Sequence, residues 1–465
     1  SLGQSAIVLV PDIAMLGQAR ARMAGIPGAG IDEVHRNQPH ELEVWLGMRQ
    51  GDARIVVGTR SAVFAPVPRL GLIIVDEEHD PAYKQDQTPH YHARTVSLMR
   101  AKIEQAKLIL GGTSVSLESY YRTRRRRAAY VTLPGRDPES QVRTVDMKNF
   151  PLLDRKRKII LSRYVQDSIV QALAAKDKVL VVHNRKGFAT VVSCSTCGKL
   201  LKCPRCNMNL VYYYSDGSVR CRYCNFQQPL PKFCPECKSG YLKLGGMGTE
   251  KVESELARMF PAARIRLLER TDEPDRESAD IFVATQSIVA RTAFKFGLTC
   301  VLGIDNSLNF VDFRAAERVF GLLTGLVQLT EKSLLIQTGI PGHYVFEALK
   351  SHDPQVFYRK ELNLRRQTGF PPYRNFVSVK LRGASDGRVR ESAEKLFSRL
   401  AEAKPADGSA VISVNPGQPA KLRGNFHWTI LVSTAKVKET NAFLKSHLRH
   451  FRSSGIKVIV DVDPV

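Results

Sequence analysis

No stretch of the 465-residue sequence approaches the roughly 20 consecutive apolar positions that a membrane-spanning helix needs. No basic n-region with a small-residue cleavage site opens the chain, so no secretory signal is read there. The first residues, SLGQSAIVLVPDIAML, read instead as a buried strand entered abruptly. Low-complexity and collagen-like tracts are also missing. With 43% hydrophobic and 25% charged residues, disordered and fibrous classes are excluded. Acidic residues are scarce beside basic ones, 45 against 69, which leaves a formal charge of +24. A field that basic favours a polyanionic partner. No long basic amphipathic helix stands out, which argues against an anionic membrane surface.

At roughly 150 residues per domain the length suggests about three domains. Short runs rich in β-branched residues recur at 6–10 (AIVLV), 54–57, 72–75 and 108–110, with helix-like stretches between several of them. That rhythm predicts a parallel sheet with crossover helices. A turn-rich basic region follows over 122–158. A second α/β segment starts near Leu161, with a strand at 179–183, and a cysteine block interrupts it. The pattern resumes at Thr249, with strands near 281–284 and 300–304, a helix over 315–329 and a strand at 333–337. From about 343 onward a basic helix-like piece precedes a strand at 377–381 and a helix over 388–403. Strands at 411–414, 429–432 and 457–460 complete a small α+β domain.

Nine cysteines are present, and eight form four Cys-x-x-Cys pairs: Cys194/Cys197, Cys203/Cys206, Cys221/Cys224 and Cys234/Cys237. Cys300 stands alone in an apolar run and reads as a core thiol. Zinc takes four tetrahedral thiolates, and each pair supplies two, so eight ligands predict two Zn²⁺ ions. Only a short link joins the first two pairs, whereas the stretch between Cys206 and Cys221 is long enough for a returning hairpin. A nested pairing follows: Cys203, Cys206, Cys221 and Cys224 inside, Cys194, Cys197, Cys234 and Cys237 outside. A redox or disulfide cluster is the alternative. Metal would also supply folding free energy that so small a block lacks. Tyr212, Tyr213, Tyr214, Tyr223 and Phe226 interleave with Arg205, Arg220 and Arg222. They could stack on unpaired bases or simply pack around the metal turns.

The strand at 72–75 runs into Asp76, Glu77, Glu78, His79 and Asp80. A hydrophobic strand ending in Asp-Glu is the Walker B arrangement, with one carboxylate on Mg²⁺ and the next near an attacking water. With Tyr83-Lys84-Gln85 and Tyr91-His92-Ala93-Arg94 behind it, the sequence resembles the primosomal protein N′ (PriA) family of replication-restart helicases. VLVPDIAM (8–15), IVVGTRSAVFAP (55–66), IIVDEEHDPAYKQ with YHAR, the eight-cysteine insertion, GMGTEKVE (246–253), DFRAAER (312–318), TGFPPY (368–373) and the terminal DVDP carry the resemblance, in order along the whole chain. It implies two RecA-like α/β motor lobes, the first incomplete (1–150), the second at 151–190 and 245–342. A zinc-binding insertion at 191–244 and a C-terminal α+β DNA-binding domain at 343–465 complete the expected organisation. It further implies a superfamily-2 DExH motor moving 3′ to 5′ on DNA, which recognises forks and D-loops and starts reloading of the replicative helicase.

Several motor motifs depart from that pattern. The G-x-x-x-x-G-K-[ST] loop that grips the β/γ-phosphates occurs nowhere in the sequence, and the expectation is that the chain is a fragment starting downstream of it. The family's two arginines that stabilise charge on the γ-phosphate are missing where 325–332 reads GLVQLTEK. A Lys-Gly-His-Asp-Phe string is replaced by Ala290-Arg291-Thr292-Ala293-Phe294, and Gly-Ser-Ala-Thr-Pro by Gly112-Thr113-Ser114-Val115. Loss of the arginines alone would cost several kcal/mol of barrier lowering. Asp76 and Glu77 are then either a working metal pair or a relic, and ATP with Mg²⁺ is left open as a ligand.

Two functions follow. One is a binding module for branched and single-stranded DNA that promotes restart without hydrolysing ATP, retaining all eight cysteines. The other is an active ATP-dependent 3′ to 5′ helicase whose phosphate-gripping loop lies upstream of this chain. Restart and helicase-loading proteins and a single-stranded-DNA-binding protein are the expected partners, no membrane is involved, and a cytoplasmic, nucleoid-associated site is expected. The resemblance assigns DNA sensing to Tyr83, Lys84, Tyr91, His92 and Arg94. In the C-terminal domain Lys421, Arg423 and Trp428 sit at a basic, tryptophan-containing strand entry, although core packing also suits Trp428. The basic runs at 124–127 and 155–158 are candidate phosphate contacts.

Overall fold

In a computed structural model of the chain, the described residues are all but 1–2, 27–29, 37–39, 52–53, 134–139, 150–159, 184–190, 222, 239–240, 247, 269–274, 291–293, 311, 404–408, 452 and 465. β-Branched runs build the first sheet. Strands Ile31–Val34, Ile55–Gly58, Ser5–Leu9, Leu70–Val75 and Lys107–Leu110 lie in that order, all parallel. Successive residues of one strand feed opposite faces. Ile7 and Leu9 join a core with Met48, Ile73 and Ala101, while Val8 and Val10 join another with Leu16 and Val57. Burial on both faces explains why these strands read as unbroken apolar runs.

The second sheet has six parallel strands, in the order Ile265–Leu267, Ile281–Ala284, Val179–His183, Phe296–Leu302, Thr330–Thr338 and Gln141–Asp146. These are the two parallel α/β lobes expected. Their boundary needs correcting. Gln141–Asp146, assigned above to the first lobe, is an edge strand of the second, with Val142 buried there. Helix Leu117–Arg124 also packs into the second lobe's core, where Tyr120 stacks on Tyr358 with ring centroids 4.3 Å apart. The first lobe's sheet therefore ends at Leu110. Helices Tyr344–Lys350 and Pro354–Thr368 bury Phe346, Phe357 and Leu362 in that same core, so the C-terminal domain begins after them rather than at 343. Its sheet is antiparallel, in the order Ala410–Leu422, Asn425–Thr434, Asn375–Gly383 and Lys457–Val462. Helices Asp386–Glu402 and Val437–Arg449 contribute Leu396 and Leu444 to its core. Among the described residues no helix is long and apolar enough to cross a membrane.

A line of buried charges joins these units. Glu78, fully buried, accepts from Arg94 Nη1 at 2.7 Å and from the Ser116 N–H at 2.6 Å. Arg94 also faces Glu118 at 3.5 Å, and Glu118 pairs with Arg314 at 2.8 Å. Arg314 lies 3.6 Å from Glu317, which also accepts the Leu117 N–H at 2.9 Å. Arg365, only 2% exposed, closes the line with 2.8 Å contacts to Glu317 and Glu361. Each acid borders at least one arginine, so no buried charge is left alone.

Removing a central cation exposes the cost. Arg365→Met should lower stability by about 3–5 kcal/mol, because Glu317 and Glu361 would stay buried without it. The readout is the urea midpoint at unchanged denaturant dependence. A loss under about 1 kcal/mol would show that the line is not a stability element.

Candidate metal centres and nucleic-acid cleft

Four similar turns make the cysteine block. In each, the residue after the second cysteine takes a left-handed backbone: Gly198, Asn207, Asn225 and Lys238, with φ of 70°, 55°, 56° and 54°. Its N–H returns to the carbonyl of the first cysteine, at 3.1, 2.8, 3.1 and 2.9 Å respectively. That geometry leaves both sulfurs of a pair on one side. The pairs then combine as the nested reading predicts. The sulfurs of Cys194, Cys197, Cys234 and Cys237 lie within 4.8 Å of one another, as do those of Cys203, Cys206, Cys221 and Cys224. Separations of 3.6 Å (Cys194 to Cys237), 3.8 Å (Cys197 to Cys234) and 3.6 Å (Cys203 to Cys224) match the roughly 3.8 Å edge of a tetrahedral zinc–thiolate site. The two groups fit two Zn²⁺ ions. N–H groups of Cys197 and Thr196 point at the Cys194 sulfur and draw its thiol below the ordinary range, toward the thiolate that a metal requires. A small core of Val192, Leu201, Leu210 and Val219 packs between the strands.

The acidic motif sits where strand Leu70–Val75 ends. Glu77 has φ of 45°, which turns its carboxylate back to accept from the Thr113 N–H at 3.1 Å and the Thr113 hydroxyl at 3.0 Å. Burial raises its pKa, opposed by His79, whose Nδ1 is 3.5 Å away. The Asp76 carboxylate accepts the Glu77 N–H at 3.1 Å. Across the junction, helix Ala315–Gln328 of the second lobe presents Gly321, where a Cβ would come within 3.2 Å of His79. The arginines at the start of that helix are engaged elsewhere. Arg314 pairs with Glu118, and Arg318 with Asp312 at 2.6 Å. A cavity of about 2180 Å³ opens at this junction, lined among others by Glu77, Arg122, Arg127, Tyr213, Arg220 and Gln328. Arg291 and the basic run at 155–158 lie outside the described residues.

The residues expected to sense DNA divide. Tyr83 is fully buried, with its hydroxyl 2.6 Å from the Asp76 carbonyl and 2.9 Å from that of Leu9. It clamps the strand ends and offers no face to a nucleic acid, so that expectation does not hold in this arrangement. Lys84 is spent on Asp461 at 2.8 Å and the Val462 carbonyl at 2.6 Å, tying the first lobe to the C-terminal domain. Arg94 is held in the buried charge line. Tyr91 packs edge-on to Phe64 with centroids 5.0 Å apart and lines the cavity. His92 caps helix Ala93–Glu104, its Nδ1 accepting the Arg94 N–H at 3.3 Å. Of the C-terminal set, Trp428 donates to Asp386 at 3.0 Å against its own domain's core, and Lys421 donates to the Pro204 carbonyl of the cysteine block at 3.3 Å. Arg423 lies at the turn between strands Ala410–Leu422 and Asn425–Thr434. Trp428 is thus committed to packing and Lys421 to docking, whereas the Arg423 side chain is exposed. The cavity instead offers Tyr213 with Arg220 over its ring at 4.5 Å, and Arg122 and Arg127 from the basic region. The alternation of aromatics and arginines in the cysteine block was the signal for the first two. Nothing in the sequence alone singles out Arg122.

Two expected outcomes follow. Protein prepared without chelator should carry two zinc ions, and Cys237→Ser and Cys224→Ser should each lose one, read by metal analysis of denatured protein. One ion or none in the wild-type chain overturns the pairing. Burial lowers the His92 pKa to about 3, so the unfolded chain takes up a proton near 6.5 that the folded chain refuses. Stability from this group is full above about 6.5 and falls as pH drops toward 3, by at most about 1.4 kcal/mol per pH unit. His92→Asn keeps a capping acceptor without titrating, and should flatten unfolding stability across that window. An unchanged slope counts against it.

Residues 203–229 match the family model of the PriA DNA helicase Cys-rich region, and residues 366–465 match that of the primosomal protein N C-terminal domain. Replication restart protein PriA of Synechocystis sp. is 34% identical, covering 100% of this chain and 59% of that protein. The Bacillus subtilis protein of the same name is 30% identical over 99% of this chain and 60% of its own length. That of Treponema pallidum is 30% identical over 100% of this chain and 73% of its own length. The chain spans about 59–65% of the length of the first of these curated relatives.

Proposed function

The chain belongs to the PriA family of replication restart proteins, and from that membership we propose that it binds branched DNA at stalled forks and D-loops and promotes reloading of the replicative helicase without hydrolysing ATP. The observation that carries the second half is the wall facing Glu77. It is built from Gly321 and its helix, and the two arginines of that helix start that line the same cavity, Arg314 and Arg318, are each held by a carboxylate, Glu118 and Asp312. A hydrolysing motor needs a cation there to meet charge developing on the γ-phosphate. Support for the first half is the cavity wall of Arg122, Arg127, Tyr213 and Arg220, together with a charge of +24. Arginine meets phosphate, and a tyrosine face can carry a splayed base. The Cys-rich block and C-terminal domain would serve as docking platforms for single-stranded-DNA-binding and helicase-loading proteins.

The competing reading is an ATP-dependent 3′ to 5′ helicase. The Asp76 and Glu77 pair, held in order by Thr113, is the observation in its favour. DNA-stimulated ATP hydrolysis by this chain and by any longer product of its gene separates the two. Absence of turnover in both supports a structural organiser, and turnover in the longer product means that another residue replaces the missing arginines. Fork binding should also exceed duplex binding at physiological salt. It should fall linearly with log salt, by about 0.9 log units per phosphate contact. Arg127→Ala and Arg220→Ala should each shallow that slope by about one contact. Equal affinity for fork and plain duplex would sink the structure-specific part.

A further inference from the structure

A sulfur that ligates zinc carries thiolate charge, and when buried it needs N–H donors around it. Four of these cysteines take donors from their own turn. Cys194 receives the N–H groups of Thr196 and Cys197, and Cys197 that of Lys199. Within the inner group, Cys203 receives those of Arg205 and Cys206, and Cys224 that of Phe226. Cys206 differs. It is 1% exposed, and the backbone donor aimed at its sulfur belongs to Arg423 in the C-terminal domain.

Arg423 sits at the tight turn between strands Ala410–Leu422 and Asn425–Thr434, with φ of 49°, followed by Gly424 with φ of 85°. That turn directs its N–H groups outward rather than into its own sheet. The neighbours of Arg423 dock on the same knuckle. The Gly424 N–H donates to the Arg205 carbonyl at 3.1 Å, and Lys421 Nζ to the Pro204 carbonyl at 3.3 Å. Leu422 packs against the small core formed by Val192, Leu201 and the buried cysteines. Four consecutive residues of one domain thus engage one Cys-x-x-Cys turn of another.

Four thiolates around one Zn²⁺ leave about two net negative charges, most of them on buried sulfurs. An N–H dipole aimed at Cys206, with the Lys421 ammonium on the Pro204 carbonyl of the same turn, favours that loaded state over the neutral thiols of the empty one. Coupling of this kind is reciprocal: if docking strengthens the metal site, metal strengthens docking. We propose that the 421–424 turn is an outer support of the inner zinc site, and that zinc there latches the C-terminal domain onto the cysteine block. Arg423 acts as a positioning residue through its backbone, and Lys421 and Arg423 are interdomain contacts rather than DNA contacts. The proposal rests on the cysteine groups holding zinc.

The test uses the full 465-residue chain. Zinc release to a coloured chelator is followed in the wild type and in Leu422→Asp, which puts a charge into the docking contact. One of the two ions should leave about 10-fold faster, and the other at its usual rate. The accelerated ion should be the one that Cys224→Ser lacks. Hydrogen exchange supplies a second readout that does not need the docking variant to fold. Amides of the 421–426 segment should exchange faster in Cys224→Ser but not in Cys237→Ser. Unchanged release in Leu422→Asp, or equal exchange in the two cysteine variants, overturns the latch. A wild-type zinc count below two refutes the metal reading itself, which separates the two failures.

Discussion

The two lobes, the segment between them and the helices that follow are held by one line of alternating buried charges. It begins at Glu78, the third acidic residue of the motif that ends strand Leu70–Val75, and passes through Arg94, Glu118, Arg314, Glu317 and Arg365 to Glu361. In a low-dielectric interior, losing any member strands the charge beside it. The line therefore specifies one relative placement of its elements more than it adds net stability. It also engages Arg94 and Arg314, two arginines that border the same cavity as Glu77. A cation held by Glu118 is not free to meet a phosphate, and on the helix facing Glu77, among the described residues, Gly321 stands nearest His79 while Arg314 and Arg318 border the cavity as members of ion pairs.

The cysteine block solves a different problem with the same logic of satisfied charge. Its core is a handful of aliphatic side chains, too few to fold a block of this size alone, and metal binding supplies the difference. Four repeats of one turn, each closed by a left-handed residue, set the sulfurs at zinc–thiolate spacing. Three of the residues in that conformation are Asn or Lys rather than Gly, so the turns are held by their ligands and backbone hydrogen bonds as much as by local preference.

Residues of similar chemistry end in opposite places. The loop at 83–94 has the aromatics and cations of a nucleic-acid contact, yet Tyr83, Lys84 and Arg94 face inward to the strand ends, the C-terminal strand and Glu78. Lys421 and Arg423 look like phosphate contacts but lie against the Cys203 and Cys206 turn. Tyr213 and Arg220, which could as well have packed around metal, border the open cavity.

Local pattern alone determined much of this protein. The buried strands, continuous in β-branched residues, were legible because both faces are apolar. The nested cysteine pairing was legible because loop length limits which turns can share an ion. The edge strands Ile31–Val34, Gln141–Asp146 and Ile265–Leu267 were not, since IDEV, QVRTVD and IRL bury only part of their surface and carry charge. Only the tertiary structure decided that Gln141–Asp146 crosses to the second sheet, that Glu78 rather than Glu77 anchors the charge line, and that a turn more than 200 residues downstream reaches the Cys206 sulfur. A sequence displays periodicity and spacing along one dimension. Which charge faces which partner depends on contacts between segments far apart in the chain, and no local pattern encodes them.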